Sequence, residues 1–293
     1  MSKTQAICWK NGKMMPAHQA TVSIFDHGFL YGDGVFEGIR FYHNTAFRLT
    51  AHLQRLQYSA QAIGLGLPLS MRELAQAVHE VIEHASNAHG YLRLIVTRGE
   101  GTLGINPESC AKPNVFIIAD DVHVVAQDTR QQGANIIIAT TRKLALDGLD
   151  PRVKSLNYLN HILARMEANH AGADEALMLN ANGFIAEGSA DNVFIVQGND
   201  LITPPSTDGA LAGITRQVIL DLAQDAGLYP MEKSIGAYDV YNADACFLTG
   251  TGAELIPVRS VDGRALKSCP GKAFEKLASL FQKTIEQECL QHD

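Results

Sequence analysis

The sequence predicts an α/β chain, of the α+β kind, folded as two domains, and three observations lead there. Its 293 residues are enough for a large core and suggest one or two domains. Helical periodicity alternates with short β-type runs along the whole length, so no single-class fold accommodates it. Residues 120 to 134 become polar and aperiodic, which places a linker at 123–134 between a smaller domain at 1–122 and a larger one at 135–293.

In the first part, Ile7–Lys10 reads as a strand entering an Asn11-Gly12 turn, and Ala20–Phe25 as another strand. Residues 26–40, with four glycines and three aromatics, read either as a glycine-rich loop carrying Tyr31, Phe36 and Arg40 into a small-molecule pocket or as a sharp turn between strands. Leu53, Leu56, Ala60 and Ile63 set a helix over 49–64 with Thr50 as its cap. Ser70 and Glu73 form a capping box for a second helix, and strands follow at 91–97 and 114–119. In the second part, strands are expected at 135–140, 175–180, 183–187, 192–196, 201–202 and 245–249. Helices are expected after Lys154, at 214–226 and at 271–288.

Composition narrows the function. Charged residues are 19% and hydrophobic ones 46%, ordinary for a globular chain. No apolar run approaches the roughly 18–20 residues of a membrane span, and the first residues lack a signal-peptide core, so a cytoplasmic protein without membrane partners is expected. The net charge of -7 argues against a nucleic-acid surface. Five scattered cysteines without a C-x-x-C pair suggest neither a disulfide framework nor zinc. The 11 histidines show no H-E-x-x-H, and His84, His89, His161 and His170 read as residues on or at the ends of helices rather than ligands, so no metal is expected.

Gly99-Glu100-Gly101-Thr102-Leu103-Gly104 satisfies G-x-G-x-x-G after a strand, but Pro107 and Pro113 frame a turn-rich segment with no helix for a pyrophosphate to face, so the dinucleotide reading fails. Lys154 stands between a Pro151 turn and a helical stripe of Leu156, Leu159, Leu163 and Met166. A lysine at such a junction can point into a cleft, although on its own segment it is first a solvated surface charge. Three distant features give it a context. Glu187 ends an apolar strand in a turn of small residues, Gly213 precedes an amphipathic helix whose free N–H groups favour a phosphate, and Thr249-Gly250-Thr251-Gly252 suits an anion nest. Singly, each is an ordinary turn or cap. Together they match the needs of pyridoxal 5′-phosphate: a Schiff-base lysine, an acid for the ring nitrogen and anion cups for the phosphate.

With these residues in view, the chain resembles the fold-type IV (class IV) aminotransferases, and among them the branched-chain amino acid aminotransferases. The matching stretches are 31–40, Val153–Tyr158, Glu187-Gly188, Gly213–Arg216 and Gly250-Thr251. The resemblance implies two domains with the cofactor at their interface, and transamination between leucine, isoleucine or valine and 2-oxoglutarate. It implies that Lys154 is catalytic as the Schiff-base lysine, that Glu187 meets the ring nitrogen and Tyr158 the ring 3′-oxygen, and that Arg55, Gly213, Ile214, Thr215, Gly250 and Thr251 bind the phosphate end. Tyr31, Phe36, Gly38, Arg40, Tyr91, Arg93 and Gly252 are implied for the substrate. A homodimer or an assembly of dimers is implied as well. D-amino acid aminotransferases and aminodeoxychorismate lyases share the scaffold, and a nucleotide-binding or silent relative is the reading outside the enzyme class. The arginine and histidine of the D-specific group have no counterpart in 101–107.

Overall fold

The computed structural model describes residues 6–121 and 127–290, and the chain divides into two compact units. One runs to residue 122 and takes back residues 153–157 and the chain from residue 285 onward; the other comprises 123–152 and 158–284. Residues 123–126 of the expected linker lie outside the described residues, and Gln127–Gln132 is a short helix.

The first unit is built on a sheet of β1 (Ile7–Lys10), β2 (Lys13–Pro16), β3 (Gly34–Tyr42), β4 (Thr45–Ala46), β5 (Gly90–Thr97) and β6 (Asn114–Asp120), in the antiparallel order β2-β1-β6-β5-β3-β4. Its helices are α1 (His27–Tyr31), α2 (Leu49–Ala62) and α3 (Met71–Glu83). Alternation along β3 and β5 sorts their residues onto two faces. Val35, Ile39, Phe41, Leu92 and Leu94 join Leu53, Leu56, Leu74 and Val78 of the helices in one buried core. The opposite face carries Phe36, Gly38 and Arg40 beside Ile95, Arg93 and Tyr91, which are their register partners.

Three expectations are corrected here. Ala20–Phe25 is not a strand, because the chain is already turning to place Asp26 as the N-cap of α1. Asp26 Oδ1 accepts from Gly28 N at 2.8 Å, while its Oδ2 accepts from Thr97 and Asn114, each at 2.8 Å. Residues 26–40 are therefore not a loop but a helix, a left-handed Gly32 (φ 70) and the long strand β3. Thr50 lies inside α2, whose N-cap is Arg48 in a left-handed conformation; the Ser70–Glu73 capping box of α3 is present as expected.

The helices of the second unit are α4 (Gln127–Gln132), α5 (Leu159–His170), α6 (Ile214–Leu222) and α7 (Ala237–Asn242), and α8 (Lys272–Cys289) begins there and ends, from residue 285, in the first unit. The strands are β7 (Ala134–Ile138), β8 (Glu175–Leu179), β9 (Ile185–Gly188), β10 (Asn192–Gln197), β11 (Asp200–Thr203), β12 (Tyr229–Glu232), β13 (Ala245–Gly250), β14 (Glu254–Val261) and β15 (Arg264–Ala265). They form a mixed sheet of order β12-β11-β10-β13-β14-β7-β8-β9, with β15 on β14 and parallel pairs at β11·β12, β14·β7 and β7·β8. Ala164 and Ala168 of α5 pack on Ala176 and Met178 of β8. The expected stripe of α5 is thus corrected: Leu159, Leu163 and Met166 face outward at 67%, 44% and 46% exposure, and small alanines make the close approach. Among the described residues no helix is long and apolar enough to cross a membrane.

Candidate active site

Lys154 sits in the first unit on a segment that completes the sheet. Phe36 N donates to Lys154 O at 3.0 Å and Leu156 N to Gly34 O at 2.9 Å, with an antiparallel bridge between Val35 and Ser155. Lys154 N donates in turn to Ser59 Oγ of α2 at 3.1 Å. The open edge of β3 is thereby covered, and these backbone bonds fix the lysine's place on it. Its Nζ stands 4.6 Å from the centre of the Phe36 ring. On the same face of the sheet the Arg93 guanidinium lies 4.6 Å from the Phe36 ring centre and 5.4 Å from that of Tyr91. Gly38 is required there, since any Cβ would occupy the place of the Tyr91 hydroxyl. Tyr31 donates its hydroxyl to Leu103 O. Arg40 lies 5.0 Å from the Tyr42 ring centre.

Arg55 comes from α2 and meets β3 from the core side. Its Nε and one terminal nitrogen each donate to Glu37 at 2.7 Å, a bidentate pair, and His52 Nδ1 donates to Glu37 Oε2 at 2.8 Å. Glu37 and His52 are fully buried, at 0% and 1% side-chain exposure. Burial pushes the Glu37 carboxyl up, but the charge and hydrogen bonds of Arg55 and the bond from His52 outweigh it and hold the group at about 2. Burial pushes the His52 imidazole down, against the pull of Glu37. At least two of the guanidinium's five N–H donors are thus held by a fixed carboxylate, which sets its orientation.

The second unit holds Glu187. Its residue is 5% exposed and sits on β9 opposite Met178. Lys143 Nζ donates to Glu187 Oε1 at 2.6 Å, and Oε2 accepts from Leu211 N at 2.8 Å and Asn192 Nδ2 at 3.3 Å. A carboxylate offers about four lone-pair positions, so these three leave one for a ring N–H. The Leu211 contact also determines where α6 begins. Gly213 is its N-cap and has no side-chain cap bond, which leaves the N–H groups of the first turn for an anion. A Cβ at Gly213 would run into Asn192 Oδ1, so the loop and the Glu187 network close-pack at that glycine. Thr215 is buried within that first turn. Asn192 pairs in register with Thr249 on β13, next to Gly250, Thr251 and Gly252. Thr249 Oγ1 is a buried hydroxyl with no partner among the described residues. An orphaned donor, an uncapped helix start and one spare acceptor on a buried carboxylate fit a cofactor with a phosphate at one end and a basic ring nitrogen at the other.

Tyr158 precedes α5, and its ring stacks on that of His161 at 4.4 Å between centroids and 16° between planes. His161 in turn lies 3.1 Å from Lys143 Nζ and 2.7 Å from Ser189 O. His161 is a helix residue of α5, as expected, and its ring reaches Lys143. It belongs to the inward stripe His161, Ala164, Ala168, a spacing readable once the alanines rather than the leucines are taken as the packed side. Lys143, Asn192, Glu37 and His52 were not singled out in the sequence either, because nothing local marks a buried polar residue whose partner lies on another element.

Similarity to known proteins agrees with this chemistry. The family model described as amino-transferase class IV matches residues 34–261. The branched-chain-amino-acid aminotransferase of Escherichia coli K12 is 35% identical over 87% of this chain and 84% of its own. A crystal structure of the branched-chain aminotransferase of the archaeon Thermoproteus uzoniensis with norvaline matches at a TM-score of 0.90 and 33% identity, covering 98% of this chain and 97% of that one. That of Thermobaculum terrenum, a holo-form with PLP, matches at 0.85 and 30%, covering 96% and 94%. A D-alanine aminotransferase of Bacillus licheniformis is 34% identical over 95% of this chain and 96% of its own. The chain therefore belongs to the class IV amino-transferase family.

Proposed function

We propose that the protein is a pyridoxal-5′-phosphate-dependent aminotransferase that exchanges amino groups between leucine, isoleucine or valine and 2-oxoglutarate. The observation that carries this reading is the buried Glu187 carboxylate, held on three sides with one acceptor position left, beside the uncapped start of α6. When bound, the cofactor ring supplies an electron sink for the bonds at substrate Cα. Lys154 Nζ is the amine that tethers the cofactor and, once displaced by substrate, moves the proton at Cα. Glu187 holds a proton on the ring nitrogen, Tyr158 bonds the ring oxygen, and Arg55, the N–H groups of Ile214 and Thr215, and the Gly250-Thr251 turn bind phosphate. Phe36, Gly38, Tyr31, Arg40, Tyr91, Arg93 and Gly252 shape the side-chain and carboxylate contacts. The Arg93 cation over two aromatic rings supports carboxylate recognition beside an apolar wall. The working form is a cytoplasmic homodimer or an assembly of dimers, a reading supported by the outward apolar side chains of α5.

Absorption spectra of wild type and Lys154→Ala, with added cofactor and with borohydride, test the first half. Wild type is expected to fix the cofactor covalently on reduction and K154A to lose this, and a wild type that binds no cofactor would sink the reading. Glutamate formation from L-leucine and from D-alanine is then compared, and turnover of D-alanine alone would reverse the substrate assignment in favour of the D-specific relatives.

A further inference from the structure

Lys143 is a lysine the roles above do not use, yet it is buried in the second unit's site. Its side chain is 1% exposed. Its backbone N–H donates to Leu179 O at 2.9 Å, which seats it beside β8, and its Nζ spans Glu187 Oε1 at 2.6 Å and His161 Nε2 at 3.1 Å. An ammonium only donates, so His161 Nε2 must offer its lone pair. A carbonyl only accepts, so His161 Nδ1 carries the hydrogen given to Ser189 O at 2.7 Å. The imidazole is thereby fixed as one neutral tautomer, and Tyr158 stacks on that fixed ring. One buried cation consequently braces both residues assigned to the cofactor ring: Glu187 directly, and Tyr158 through His161.

We propose that Lys143 is the positioning cation of this site: it holds the Glu187 carboxylate in place for the cofactor's ring nitrogen and keeps the proton they share on that nitrogen. The inference rests on the reading that Glu187 meets the ring nitrogen. Its physical basis is the order of charges. A proton moving from the ring nitrogen onto Glu187 would approach an ammonium already in contact with that carboxylate, and in a buried site such repulsion is only weakly screened. The ammonium therefore biases the shared proton toward nitrogen. Removing the charge leaves a buried carboxylate with neutral donors only, for which taking the proton becomes the easier way to avoid an isolated charge.

The test is reconstitution with pyridoxal 5′-phosphate carrying 15N in the ring, measuring the ring-nitrogen chemical shift and the cofactor Kd for wild type, Lys143→Met, Lys143→Gln and Lys143→Arg. In K143M the signal is expected to move toward that of an unprotonated pyridine, and binding to weaken roughly tenfold or more. K143Q keeps an N–H donor and serves if K143M does not fold; its signal should move the same way. K143R should stay near wild type. A K143M or K143Q protein that binds cofactor with the wild-type nitrogen signal overturns the proposal, and so does K143R moving as far as K143Q. A lysine that only filled space would alter stability without this dependence on charge. Wild type that binds no pyridoxal phosphate would instead overturn the proposed function.

Discussion

Glu37 illustrates how a buried carboxylate can fix a residue of the proposed site. Held at about 2 by Arg55 and His52, it is a fully desolvated anion with both oxygens paired. Glu37→Gln removes the carboxylate charge that Arg55 pairs with and is expected to cost about 3–5 kcal/mol in urea unfolding and to weaken cofactor binding. A change below about 1 kcal/mol would mean that Arg55 repacks. The acid side of the stability curve follows from the same cluster. Glu37 is depressed when folded, so its contribution is present above its ordinary value of 4.5 and is lost as pH falls toward about 2. Burial lowers the His52 pKa against the pull of Glu37, whereas the unfolded chain binds a proton below about 6.5, so stability declines as pH falls through that range too. The urea midpoint should accordingly begin to fall below about pH 6.5, and His52→Gln, which keeps a donor for Glu37, should remove that upper part. A midpoint flat from pH 7 to 5 in wild type would contradict the assignment.

At the scale of elements, α6 is placed by Glu187. The carboxylate bonds Leu211 N and Asn192, Asn192 Nδ2 bonds Leu211 O at 2.9 Å, and Gly213 fits against Asn192. Gly213→Ala adds a methyl where Asn192 Oδ1 stands, although its backbone angles suit alanine (φ -68, ψ 137). We expect a loss of about 1–3 kcal/mol from overpacking and a weaker cofactor complex, measured by urea unfolding and cofactor titration. Both values unchanged would show that Asn192 is free to swing away. Legibility in the sequence follows the same line between local and distant causes. Ser70 with Glu73 is a local capping box and was readable as such, as were the apolar runs of β5, β6, β10 and β13. Gly213 and Glu187 were readable as features because glycine before a helix and an acid after an apolar strand are local oddities. Thr50 misled because a left-handed Arg48 took the cap, and α5 misled because its larger side chains point outward. Lys143 left no trace, since its burial is decided by β9 and α5, far away in sequence.

For the molecule as a whole, α5 presents Leu159, Ile162, Leu163 and Met166 outward along one stripe, with Ile162 52% exposed. Such a stripe is costly to leave in water, and a second copy of the chain would remove it. Sedimentation velocity should show wild type as a dimer or larger and Leu163→Asp as a smaller species that keeps its helical spectrum. A wild type sedimenting as a monomer at micromolar concentration would end the oligomeric reading. The return of residues 153–157 to the first unit was not legible in the sequence, because a five-residue segment flanked on both sides by the second unit has no pattern of its own.

That return sets an order on synthesis. Residues 1–122 leave the ribosome with the Gly34–Phe36 edge of β3 bare, and the strip that covers it, from Lys154 to Leu156, is translated only after the first part of the other unit has begun to appear. The growing chain therefore cannot finish its earliest sheet until it has made Lys154, and a transcript cut short after residue 122 would yield an unprotected, self-pairing sheet edge rather than a smaller working domain.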